Sequence, residues 1–238
     1  MTEFDFFYLY NKMVNNQFVM ENLFMDKKGK FIVIDGLDGC GKGTQVKLLA
    51  NYIFDSDKKN HVFLTREPYN SEHYGEIRRL LKEGINPKDN AELLAELFVK
   101  DRRAHVELIN NFLNRGIHVV CDRYKYSTFA YQQAQGVALK KLIEMHKRIL
   151  APDLTIIPDV PVDIILERIA KDGNRNHKEV FEQKDFQEKL RENFLALPTV
   201  LPDENIVFID GNKSTEKVFE SIKEIIYNYG FFISAGKI

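Results

Sequence analysis

The chain has 238 residues, 34 Lys and Arg against 35 Asp and Glu, 44% apolar residues and two cysteines, Cys40 and Cys121. At roughly 100–200 residues per domain this length fits one large α/β domain or two small ones, with ample material for a core. The near-zero charge balance argues against a DNA-coating protein or a polybasic membrane binder, no stretch reaches the ~18 consecutive apolar residues of a membrane helix, and two thiols matching neither a metal-ligand spacing nor a disulfide framework fit a reducing cytoplasm.

Residues 1–28 are rich in Phe, Tyr and Asn and lack the basic region and cleavage site of a signal peptide. They read as a loosely attached extension, or as the product of an upstream start, with Met13, Met20 and Met25 as alternative starts; a helix docking its aromatic side chains on a partner is the sharper reading. From residue 29 to 238 the pattern is regular and predicts one domain. FIVID (31–35) is a short apolar run ended by Gly-rich sequence, as in a buried parallel strand. A helix follows over 42–54, then a strand over 61–65, a long helix over 89–114, and a strand over 116–122. Helices over 125–134 and 138–149 precede a strand over 154–160, in which Pro158 points to a strand end or edge. Helices over 162–171 and 178–196 flank the polar stretch KDGNRNHK (171–178), and a strand over 205–210 and a helix over 214–229 close the chain. Alternating strands and helices predict an α/β fold, a five-stranded parallel sheet covered by helices on both faces.

The strongest local signal lies between the first strand and helix: Gly36, Leu37, Asp38, Gly39, Cys40, Gly41, Lys42, Gly43 and Thr44. Glycines let backbone N–H groups curl around phosphate oxygens, the helix start adds partial positive charge, and Lys42 adds a full one. The position after the lysine usually carries a hydroxyl that binds Mg²⁺. Here Gly43 excludes a direct ligand, and Thr44 is a candidate for a phosphate or metal-water contact. Cys40 reads as a small neutral filler. The GKGTQ form resembles adenylate kinase-like nucleoside monophosphate kinases. No NKxD-type base-reading motif of a small GTPase is present.

Ligands of open parallel sheets bind at the strands' carboxyl ends, where this chain places Thr65-Arg66-Glu67-Pro68 and Asp122-Arg123-Tyr124. Phe98 and Arg102 share a face of the long helix, and Asp122-Arg123 reads equally as an ion pair at a strand end. With GLDGCGKGTQ, the segments LTREP (64–68), IRRLL (77–81), LFVKDRR (97–103), CDRYKYSTFAYQ (121–132) and APDLTII (151–157) together resemble the thymidylate kinase family over residues 30–229.

That resemblance implies a P-loop kinase fold with a short lid, here 171–178, and Mg²⁺-dependent transfer of the ATP γ-phosphoryl group to dTMP, giving dTDP. It implies that Phe98 stacks on thymine, that Arg102 donates to a base carbonyl with Thr128 and Gln132 on the other polar edge, and that Tyr131 selects deoxyribose. Arg78 and Arg123 would hold the 5′-phosphate, Lys42 would bridge donor and transferred phosphates, and Asp38 and Glu67 would order Mg²⁺, its water or the arginines. Gly39 stands where some members carry a helper arginine, so the lid must supply one: Arg175 is the candidate and Arg168 a second. The resemblance further implies a homodimer packed through helices, the 89–114 helix among them; the charge balance points to neither a nucleic-acid nor a membrane partner.

Two other classes remain open on the residues alone, with a deoxynucleoside kinase as a weaker third, since it would not need two phosphate-holding arginines. GKGTQ favours an adenylate or UMP/CMP kinase, though CDRYKYST stands where those enzymes carry a DGFPR-type segment. Gly43 and the short lid motivate a nucleotide-binding module without turnover.

Overall fold

The computed structural model describes residues 28–83, 90–171 and 184–232. Its first strand, β1 (Phe31–Ile34), is buried at every position, as the unbroken apolar run requires. Among the described residues the order continues with α1 (Lys42–Ser56), β2 (Val62–Arg66), α2 (Tyr74–Glu83), α3 (Ala91–Asn114), β3 (His118–Asp122), α4 (Lys125–Ala134) and α5 (Leu139–His146). Then come β4 (Leu154–Asp159), α6 (Val162–Lys171), α7 (Lys184–Val200), β5 (Ile206–Asp210) and α8 (Thr215–Asn228).

The five strands are all parallel, in the order β2-β3-β1-β4-β5. Because strand side chains alternate between faces, β1 feeds two cores. Phe31 and Val33 pack with Ile109 of α3, Phe129 of α4, Ile165 of α6 and Phe194 of α7. Ile32 and Ile34 pack with Val46, Leu49 and Ile53 of α1 and with Val218, Ile222 and Ile226 of α8. Each such side chain contributes ~1.5–3 kcal/mol on burial. The chain leaves β1 toward β2 over one face and reaches β4, on the other side of β1, over the opposite face. The loops after β1 and β3 therefore diverge at the carboxyl ends, opening the crevice in which such sheets bind ligands.

The anticipated sheet and helices form, with four differences. The segment Tyr74–Glu83 is a helix beyond the IRRLL motif: only Ile77 and Leu80 are fully buried, so its apolar stripe is narrow and its average character polar. The helix expected over 138–149 ends at His146, after which Ile149 N–H bonds the His146 carbonyl in a turn. The helix expected over 178–196 is described from Lys184 and runs on to Val200 with Pro198 inside it. The ladder resumes with Leu201 N–H on the Leu197 carbonyl at 2.9 Å, anchored by buried Leu197. Pro158 is the penultimate residue of β4, as the strand-end reading expects, but β4 is an interior strand and not an edge. Its partner in β5 is Ile209, while β1 pairs with β4 only as far as Ile34–Ile156, so the missing N–H falls where β1 has already ended. The 1–28 extension, apart from Lys28, and the 171–178 lid, apart from Lys171, lie outside the described residues, and Arg175 with them.

Candidate active site

The loop from Gly36 to Gly41 leaves β1 and delivers Lys42 at the start of α1. Gly39 (φ 82°) and Gly41 (φ 94°) hold left-handed conformations that favour glycine. A Cβ at Gly39 would also come within 3.3 Å of Ile169 Cγ1 in α6. Lys42 Nζ donates to the carbonyls of Gly36 (3.0 Å) and Leu37 (2.6 Å), so the ammonium lies against the loop. Cys40 is buried and burial pushes its thiol pKa up, which fits a neutral filler. Arg168 of α6 donates to the Gly39 carbonyl at 3.4 Å and to the Gly211 carbonyl at 3.3 Å, beside the same loop. Thr44 is exposed one turn into α1.

The loop after β3 faces this cradle. Arg123 has φ 69°, unusual for a residue with a side chain. Its N–H bonds the Ile34 carbonyl at 3.1 Å, and its guanidinium donates to Ser127 Oγ at 3.0 Å and pairs with Asp38. Asp38 also accepts from Tyr131 Oη at 3.2 Å, and the Tyr131 ring lies 5.6 Å from the guanidinium carbon. Burial opposes the charge on Arg123, and Asp38 foremost, with Tyr131, Asp35 and Asp122, outweighs it, so the group stays cationic. The ion pair at the strand end is thus Arg123 with Asp38, not with its neighbour Asp122. Asp122 Oδ1 is buried without a hydrogen-bond partner among the described residues, and Oδ2 lies 3.6 Å from where a Cβ on Gly43 would stand.

A second cluster joins the TREP segment to α3. Arg102, 2% exposed, donates through Nε to Glu67 Oε2 at 2.6 Å, with Nη2 also 2.6 Å from that oxygen. Nη2 reaches Thr128 Oγ1 at 3.2 Å, and Nη1 reaches His146 Nε2 at 2.6 Å. Glu67 Oε1 meets His105 Nδ1 at 3.1 Å, and His105 Nε2 meets Thr65 Oγ1 at 2.8 Å. Arginine only donates, so His146 Nε2 carries a lone pair and Nδ1–H donates to the Leu142 carbonyl at 2.7 Å. Burial and then the Arg102 charge push the His146 pKa down to about 3. Gln132 Nε2 donates to Gln135 Oε1 at 3.1 Å, while its own buried Oε1 has no partner among the described residues.

The anticipated site residues therefore form two groups: Asp38, Arg123 and Tyr131 beside Lys42, and Glu67, Arg102 and Thr128 deeper in. Glu67 and Asp38 each order an arginine. Phe98 is half-buried against the α2–α3 contact made by Ile77, Leu80, Leu94 and Leu97. Arg78 is exposed on α2, and among the described residues no hydrogen bond or ion pair joins it to the others. Sequence reasoning named Asp122 only as part of the DRY segment or as a partner of Arg123, and missed Asp35, His105 and His146. The one available signal for Asp35 is an acidic residue closing an apolar strand. The two histidines carry no local signal.

The thymidylate kinase family model matches residues 34–222. A "Probable thymidylate kinase" of Pyrococcus horikoshii is 42% identical over 184 residues, covering 76% of this chain and 88% of that protein. One from Thermococcus gammatolerans is 37% identical, covering 83% and 96%, and a "Thymidylate kinase" of Carboxydothermus hydrogenoformans is 37% identical, covering 82% and 96%. A glycine-rich loop that ends at Lys42 and faces Arg123 at the carboxyl end of a parallel sheet thus coincides with a match along most of the sequence, and the chain belongs to the thymidylate kinase family.

Proposed function

We propose that this protein transfers the γ-phosphoryl group of ATP to dTMP, giving ADP and dTDP. The observation that carries the reading is the buried Arg102, clamped by Glu67 and His146 and touching Thr128, on the helix that also carries Phe98. Its contacts use Nε–H, both Nη2 hydrogens and one Nη1 hydrogen. The remaining Nη1–H suits a carbonyl of a small planar base, and Gln132 Oε1 suits a ring N–H.

In this reading a phosphate oxygen of dTMP attacks the γ-phosphorus as the bond to the β–γ bridging oxygen breaks. No covalent enzyme intermediate forms, so the protein positions the two anions and offsets their repulsion. Lys42 bridges donor and transferred phosphates from the loop. Arg123, held by Asp38 and Ser127, meets the acceptor phosphate with a planar fork, and Arg78 reaches it from α2. Arg175 is proposed as the helper arginine, and Arg168, which already lies on the loop, as a second. Tyr131, fixed by its hydrogen bond to Asp38, lies against the sugar and disfavours a 2′-hydroxyl.

The residues present fit a magnesium ion. Asp122 offers a buried oxygen without a partner among the described residues, next to the side-chain-free Gly43. Asp122 and Thr44 would hold the ion together with phosphate oxygens and water, and when bound it neutralises charge on the β- and γ-phosphates. Asp38 and Glu67 are less suited, because their oxygens serve Arg123 and Tyr131, and Arg102 and His105.

The test is a panel of nucleoside monophosphates with labelled ATP, with and without Mg²⁺. Preferred phosphorylation of dTMP supports the reading. Preference for AMP, UMP or CMP transfers the protein to another nucleoside monophosphate kinase, and ATP binding without turnover on any acceptor makes it a nucleotide-binding module. We further propose a cytoplasmic homodimer packed through α3, where Leu93 is 41% exposed. Two free cysteines and the lack of a membrane-spanning helix among the described residues are compatible with that compartment. Sedimentation would test the assembly.

A further inference from the structure

We infer that His146 is a positioning residue that fixes Arg102 as a donor toward the base and so sets the choice of thymine over cytosine. The inference rests on the proposed dTMP kinase activity.

Glu67 alone does not fix a guanidinium. It engages the Nε and Nη2 edge, leaving the Nη1 end to rock in the plane of the ring of contacts. His146 Nε2 takes one Nη1 hydrogen at 2.6 Å, and only an unprotonated nitrogen does so. In the neutral ring Nδ1 carries the proton and donates it to the Leu142 carbonyl, one turn back on α5, which leaves the lone pair on Nε2; burial and the Arg102 charge keep a second proton off. The ring itself is held edge-on against Phe129, with centroids 4.8 Å apart at 77°. Tyr124 supports the guanidinium from one face at 5.2 Å. All of these groups are buried, so water does not replace a lost partner at low cost.

The outcome is one remaining Nη1–H with a defined direction; Gln132, whose buried Oε1 has no partner among the described residues, follows Thr128 by one turn on the same face of α4. A donor beside an acceptor matches thymine, whose O4 accepts and whose N3–H donates. Cytosine presents the reverse pair, N4–H₂ and a bare N3. The site thereby opposes its donor to a donor, and mismatched buried polar groups are what produce large discrimination. Removing His146 frees the Nη1 end to turn away and relaxes that opposition, without touching Lys42, the phosphate arginines or the ATP cradle.

His146→Phe keeps a ring against Phe129 and removes the acceptor. His146→Gln brings an amide oxygen to roughly the position of Nε2. We expect His146→Phe to raise the dTMP KM about tenfold, to narrow the ratio of dCMP Kd to dTMP Kd by a similar factor, and to leave the ATP KM unchanged. His146→Gln should stay within about threefold of the parent on each quantity. If His146→Phe does not fold, as judged by its melting transition, His146→Leu carries the same comparison. A folded acceptor-free variant with the parental dTMP KM and Kd ratio overturns the inference, as does a His146→Gln variant that loses as much as the Phe variant. The parent protein run in the same assay separates the two levels: without dTMP turnover there, the proposed activity falls and the inference with it.

Discussion

Ser127 gives both its backbone N–H (3.0 Å) and its hydroxyl (2.6 Å) to the carboxylate of Asp35. Asp35 also accepts the N–H of Gly36 at 2.8 Å and of Tyr124 at 2.9 Å. One buried carboxylate therefore ties the end of β1, the first phosphate-loop residue and the first turn of α4. It lies at the start of a helix, where backbone N–H groups and the helix field favour an anion. Arg123 sits between two of these anchored points, which is how its left-handed backbone conformation is maintained.

Replacing Asp35 by Asn turns one acceptor into a donor facing other donors. Leaving buried N–H and O–H groups unmatched costs ~1–3 kcal/mol each. Asp35→Asn should lose about 2–4 kcal/mol in urea unfolding, and turnover should fall more than ATP binding, because the Arg123 loop is displaced while Lys42 remains on α1. Unfolding free energy equal to the parent's would mean that the carboxylate does not staple these segments.

The Gly43–Asp122 pair gives an opposite expectation. A Cβ on Gly43 stands 3.6 Å from Asp122 Oδ2, an ordinary contact, and the backbone there is not left-handed. Gly43→Ser brings a hydroxyl within reach of Asp122 Oδ2. A hydrogen bond there should stabilise by ~1 kcal/mol and raise Tm by about 2–4 °C. Asp122→Asn should instead raise the Mg²⁺ concentration for half-maximal turnover. A lower Tm in the serine variant, or an unchanged Mg²⁺ requirement in the asparagine variant, would reject this account of Asp122.

One variant separates the packing of Phe98 from the recognition role proposed for it. The side chain is only half-buried at the edge of the α2–α3 cluster, so truncation leaves no enclosed cavity. Phe98→Ala should cost about 1 kcal/mol or less in stability. Stacking on a base is worth ~1–3 kcal/mol, so the dTMP KM should rise about 5- to 150-fold. A large loss of stability with the parental KM would make it a core residue alone.

The sheet was readable because its signal is local. FIVI, HVVC and LTII are short, β-branched and apolar on both faces, so strand type follows from the run itself. The phosphate loop was readable for the same reason: glycines needed at left-handed positions sit a few residues from the lysine they deliver. Helix α2 was not, because two fully buried side chains in ten residues barely differ from a solvated segment. Arg102 was singled out in the sequence and the family resemblance offered Glu67 as a group that orders arginines, but His146 was not legible: it meets Arg102 from a distant stretch of chain and carries no spacing that marks the contact. Asp122 was visible, but one reading paired it with its neighbour Arg123, whereas Arg123 lies past the end of β3 with φ 69° and its guanidinium turns to Asp38.

His118 supplies a pH test remote from the chemistry. Lys30 donates its backbone N–H to His118 Nδ1 at 3.0 Å, which requires a lone pair there. Burial, then the Lys30 ammonium, lowers the His118 pKa to about 4, with Asp153 acting against them. The unfolded chain takes up the proton near pH 6.5. The stabilising preference for neutral histidine is thus complete above ~6.5 and is lost as pH falls toward 4, at up to ~1.4 kcal/mol per pH unit. His118→Asn retains an acceptor oxygen near the Nδ1 position without a group that titrates in this range. Between pH 7.5 and pH 5 the parent should therefore lose about 3–8 °C more in Tm than the variant does. A Tm difference that stays constant across that interval would show that His118 takes up its proton equally in the folded and unfolded chain.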